Sequence, residues 1–127
     1  MLTEALDNAS GDIGQIFVDL PRTEARIRRE FGRTYYALGD VNRAVVEHRR
    51  ALELFQSVGK DNEALECEAY LGTSLVATGE LQEAERILAR VSEAYGHTDP
   101  DSRDVLTTQA QHGLALMRLG QIGRAHV

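Results

Sequence analysis

Between residues 41 and 58 the apolar and small positions Val41, Ala44, Val45, His48, Ala51, Leu52, Phe55 and Val58 recur at i, i+3, i+4 and i+7, the period of one helical face. Leu81, Ala84, Leu88, Val91 and Tyr95 repeat that stripe. Another helical stretch precedes each stripe, so the pattern predicts first helices over 21–38, 62–78 and 100–119, with the two stripes as second helices. Pro21 and Pro100 suit first-turn positions, where a missing N–H costs nothing, and Asp61 and Asp99 stand where helix caps belong.

The pairs share a motif. GRTYYALGDVNRA (32–44) returns as GTSLVATGELQEA (72–84) and as GLALMRLGQIGRA (113–125). In each copy a Gly is followed seven positions on by a second Gly, then by an apolar residue (Val41, Leu81, Ile122) and then by Ala (Ala44, Ala84, Ala125). A repeat at this period predicts an all-α solenoid of antiparallel helix pairs. Gly39, Gly79 and Gly120 fall where each first helix must stop and reverse, which the left-handed conformation of glycine permits. Gly32, Gly72 and Gly113 lie inside helices, where each costs about 1 kcal/mol relative to Ala. Such a recurring cost implies close approach of two helices, with the methyl of Ala44 or Ala84 opposite the glycine.

A small first-helix residue, a turn Gly, a second-helix Ala and a later Ala51-Leu52 resemble the tetratricopeptide repeat over residues 25–125. The resemblance implies an α-α superhelix that binds proteins or peptides along a surface lined by first helices. Repeats of that family run about 34 residues; here the interior glycines stand 40 and then 41 apart, similar to the kinesin-light-chain-like subtype, as is GHTDPDS (96–102). The expected units are 21–60, 61–98 and a partial third repeat over 99–127. Two departures are Arg28 and Glu68, which occupy the register of a large aromatic. The stretch LDNASGDIGQIFVDLPRTEARIRREFGRTYYALGD resembles the lead-in of the repeat region of bacterial multidomain serine/threonine protein kinases. That likeness implies an amphipathic helix within 1–20 whose buried side is Leu2, Leu6, Ala9, Ile13, Ile16, Phe17 and Leu20. No kinase motif occurs, so the implied context is a regulatory or docking fragment; a stand-alone adaptor, the sensor arm of a transcriptional regulator and a purely oligomerising array remain alternatives. The last residues, IGRAHV (122–127), match the translation of a common sequencing adapter, although Ile122 and Ala125 also fit the repeat. An uncapped third repeat is expected to expose Leu106, Leu116 and Met117 and to self-associate.

Composition narrows the partners. The chain of 127 residues carries a net charge of -6, which disfavours nucleic acid and anionic membranes, and no apolar run reaches a membrane span. The absence of a signal-peptide pattern in MLTEALDNAS points to the cytoplasm. A single cysteine, Cys67, excludes an internal disulfide and a multi-thiolate metal site. No nucleophile, base and oxyanion donors assemble, so neither an enzyme nor a cofactor or metal site is expected. In the repeat register the binding groove would present Arg26, Arg29, Arg33 and Tyr36, then Glu66, Ala69, Thr73 and Val76, then Thr107, Ala110 and Leu114. Two readings stand: a basic groove for acidic or C-terminal carboxylate groups, and a solvated face neutralised by Glu30 and other acids. His48 is expected in the core and Cys67 as a small hydrophobe, while His112 has no carboxylate at metal spacing in sequence.

Overall fold

The computed structural model of the chain describes residues 2–96 and 102–125. Among them six helices are formed and no strand: α1 (Leu2–Ile16), α2 (Pro21–Ala37), α3 (Val41–Ser57), α4 (Asp61–Thr78), α5 (Leu81–Tyr95) and α6 (Arg103–Ala125). They pack as two units whose boundary falls inside α4, between Cys67 and Glu68. Asp99 and Pro100, expected to open the last first helix, and His97 lie outside the described residues.

The reversals after α2, α3 and α4 share one construction. Gly39, Gly59 and Gly79 take φ of 84°, 70° and 88°, and the amides of the following residues, Asp40, Lys60 and Glu80, donate to the carbonyls of Tyr35, Phe55 and Leu75. This six-residue closure caps helix ends whose last carbonyls have no intrahelical partner. Asp40 then starts α3 by accepting from the Arg43 amide at 3.2 Å. Asp61 does not act as an N-cap; it is itself the first residue of α4. Pro21 opens α2 as expected.

The turn expected at Gly120 is absent. α6 runs unbroken to Ala125, and Gly120 has no positive φ. A reversal leaves several carbonyls without helical partners, whereas continuing the helix through Gly120 keeps each backbone bond.

In the first unit α2 packs antiparallel to α3 around Ala25, Ala51, Leu54, Phe55, Ala64 and Cys67, with Leu52 at the margin. α1 lies against α2 but buries far less than expected: Ile13 is its one buried residue among those described. Leu6, Ala9 and Phe17 are half-buried, and Leu2, Ile16 and Leu20 are exposed. In the second unit Leu71, Leu75, Leu81, Ala84, Leu88, Val91, Val105 and Ala115 are buried, and α5 packs on α6.

The interior glycines do make room for a neighbour, though not for the expected alanines. A Cβ at Gly32 would lie 2.5 Å from the His48 ring, and one at Gly72 would lie 2.6 Å from Leu88. The occupants sit one helical turn beyond Ala44 and Ala84, which are themselves fully buried. The glycine therefore seats a large side chain instead of bringing two backbones together. At Gly113 nothing lies within 4 Å of an added Cβ.

Candidate functional site

α2 presents three faces, set by about 100° of rotation per residue. One carries Ala25 and Gly32 against α3, and another carries Glu24, Arg28 and Tyr35 toward α1. The third carries Arg22, Arg26, Arg29 and Arg33 with Tyr36 beyond them, and the start of α4 brings Glu63 and Glu66 beside it.

Every arginine in that row has a carboxylate close by, and none of those contacts is tight. Arg22 and Arg26 stand 3.9 and 3.8 Å from Glu63, and Arg29 stands 3.9 Å from Glu66 and 3.6 Å from Glu30. Arg33 reaches Glu30 at 3.5 Å. Solvent-exposed pairs of this length contribute about 0–1 kcal/mol each. Arg29 differs from its neighbours: it is largely covered, and its guanidinium stacks 5.7 Å from the Phe55 ring centroid. Arg26, Arg33 and Tyr36 are exposed.

The first unit therefore brings Arg26, Arg29, Arg33 and Glu66 onto one surface, with Tyr36 at the end of the row. Thr73 and Val76 belong to the second unit. Val76 is only 2 % exposed and so offers no side chain to a ligand; its carbonyl accepts from Arg118 at 3.1 Å. Thr73 is half-buried, Thr107 and Ala110 are exposed, and Leu114 is half-buried. The repeat register put Val76 on a first-helix surface, whereas the packing of the second unit covers it.

On the opposite side of α2 the ion pairs are short. Arg28 donates to Glu24 at 2.6 Å and to Glu47 at 3.0 Å, and Glu24 and Glu47 are buried. Burial alone would lower the Arg28 pKa, but its hydrogen bonds to both carboxylates outweigh that and hold the guanidinium above its ordinary value. Tyr35 is pushed up to about 12, first by burial and then by its bond to Asp7. Glu68, the other departure from the repeat pattern, is likewise buried and ion-paired, with Arg90 at 2.7 Å. Polar residues at these positions thus exchange an aromatic contact for an interhelical ion pair.

The remaining titratable groups are packed or paired. His48 is 1 % exposed, and its pKa is lowered to about 4 by burial and then by the Arg33 charge. Burial raises the Cys67 thiol to about 12. His112 Nε2 meets Glu85 on α5 at 3.2 Å, a carboxylate that sequence spacing does not reveal. Among the described residues no cluster of His, Cys, Asp and Glu could hold a metal ion, and no helix is long and apolar enough to cross a membrane. The family model described as tetratricopeptide repeat matches residues 23–96. No curated protein and no solved structure matches the chain.

Proposed function

Since the chain belongs to the tetratricopeptide-repeat family, whose repeats mediate protein–protein interaction, we propose that it is a docking scaffold whose contact surface in the first unit is the arginine row of α2. The observation that carries this reading is the looseness of the row. Contacts of 3.6–3.9 Å from Arg22, Arg26 and Arg29 to Glu30, Glu63 and Glu66 fall short of the roughly 2.7–2.9 Å of a strong charge-assisted bond, so a ligand carboxylate that reaches Arg26 squarely displaces little. Tyr36, half of whose surface is free, adds an aromatic contact. The partner is a peptide segment that carries acidic side chains or a terminal carboxylate.

The wider context belongs to the same proposal. The spacing of 40 and 41 residues supports the kinesin-light-chain-like subtype, with repeats over 21–60, 61–98 and part of 99–127. A helix followed by a turn ahead of Pro21 supports a cytoplasmic regulatory arm of a bacterial signalling kinase. The test uses a partner captured by cross-linking and then remeasured by calorimetry. Arg26→Glu with Arg33→Glu, both exposed, should weaken binding about tenfold or more, since like charges across an interface cost several kcal/mol. An unchanged affinity would place the contact surface elsewhere.

A further inference from the structure

We propose that α1 is a detachable strap, held on the first helical pair by a polar latch that can open without unfolding what lies beneath. The composition of its contacts sets it apart from the other helices of that unit. α2 and α3 are sealed by a continuous apolar cluster, whereas α1 buries Ile13 and leaves Leu2 and Ile16 in solvent, with Val18 and Leu20 exposed in the segment that follows.

Four polar contacts tie it down. The Tyr35 hydroxyl donates to Asp7 at 2.5 Å, and Arg43 lies 3.2 Å from the same carboxylate. The Ser10 hydroxyl donates to Glu47, and Arg28 reaches the Ser10 carbonyl at 3.5 Å. An open cleft between α1 and α3, lined by Asp7, Ser10, Tyr35 and Val46, gives water access to these contacts.

Opening the latch strands no charge. After α1 leaves, Arg28 keeps Glu24 and Glu47, and Arg43 keeps Asp40 at 2.6 Å. Asp7 and the Ser10 hydroxyl pass to water. Exchange of protein partners for water nearly balances in free energy, and the apolar surface uncovered is confined to Ile13, the covered parts of Leu6, Ala9 and Phe17, and the Tyr35 ring, while the cluster of Ala25, Ala51, Leu54 and Phe55 stays closed. Elements with few buried apolar contacts open well below the global unfolding free energy. The strap therefore opens locally while α2 and α3 stay packed, exposing the Tyr35 face of α2, on the side away from the arginine row.

Native-state hydrogen exchange on the full chain tests this, read segment by segment by mass spectrometry. In the wild type, α1 amides should exchange faster than those of α2 and α3. Asp7→Asn combined with Tyr35→Phe should accelerate α1 about tenfold further while α2 and α3 stay within about twofold, as expected for loss of hydrogen bonds to charged groups. Exchange of α1 in step with α2 and α3 would overturn the proposal. So would an α1 rate unaffected by the double variant but accelerated by Ile13→Ala, which would make the anchor apolar.

Discussion

Gly72→Ala and Gly113→Ala occupy the same place in two copies of the repeat, yet only the second should stabilise the chain. Each replaces a mid-helix glycine, and each gains about 1 kcal/mol of helix propensity. The surroundings differ. At Gly72 the new Cβ falls 2.6 Å from Leu88 Cδ2 and 2.7 Å from its Cγ, against roughly 3.5–4.0 Å for carbon atoms in contact. Leu88 is fully buried, so it can relieve that overlap only by displacing neighbours, and overpacking of this kind costs about 1–3 kcal/mol. At Gly113 nothing is met. The propensity gain cancels in the comparison, so the two variants should differ by about 1–3 kcal/mol, with Gly113→Ala the more stable. Urea titration followed by far-UV circular dichroism gives both values. A cycle isolates the cause: in a Leu88→Ala background, itself about 2–5 kcal/mol less stable, Gly72→Ala should become stabilising. If Gly72→Ala stabilises the unmodified chain as much as Gly113→Ala does, the interior glycine has no packing role and the argument fails.

Other expectations follow from single contacts. His48 stays neutral when folded down to about pH 4, whereas in the unfolded chain it titrates near its ordinary value of 6.5. Above that value it has no effect; as pH falls from 6.5 toward about 4 the unfolded state takes up the proton, and stability drops by about 1.4 kcal/mol per unit. The difference in stability between wild type and His48→Gln, measured by urea titration across that window, should show this slope, and a flat difference would contradict it. Glu47→Gln removes one of two carboxylates around the partly buried Arg28 and should cost about 1–3 kcal/mol in the same assay; no loss would mean that Glu24 alone suffices. Cys67 should resist a thiol reagent until the chain unfolds, so modification at the rate of a free thiol under native conditions would refute its burial. Leu106, Leu116 and Met117 are each at least half exposed on α6, and sedimentation velocity should show association that Leu116→Glu with Met117→Glu weakens.

Local periodicity carried the helices and their order because each helix buries its own stripe, and a stripe is written in consecutive residues. Ala44, Val45, His48, Ala51 and Phe55 are buried as their spacing implies. What periodicity cannot give is the atom on the other side of a contact. It placed the alanines opposite Gly32 and Gly72, but the occupants are His48 and Leu88, one turn along, a register fixed only when two helices meet. The likeness of the lead-in implied an apolar buried side for α1, but Asp7 and Ser10 make much of the contact, and their partners Tyr35, Arg43 and Glu47 lie on other helices. Periodicity lined up Arg26, Arg29 and Arg33 on α2, while Arg22 joins their row only in the structure and Glu63 and Glu66, which stand beside them, come from the start of α4.

One signal was nevertheless present in the sequence. Arg28 and Glu68 are the positions where the chain departs from its family's pattern, replacing an aromatic with a charge in a covered register. A charge there is costly unless it is paired, so the departure itself implies a compensating partner of opposite sign on an adjacent helix. Glu47 on α3 and Arg90 on α5 are those partners. The two pairs sit in successive copies of the repeat with their signs reversed, Arg28 with Glu47 and then Glu68 with Arg90. Each ion pair thus fastens a first helix to the helix that follows it, a polar tie that the shared glycines and alanines do not supply.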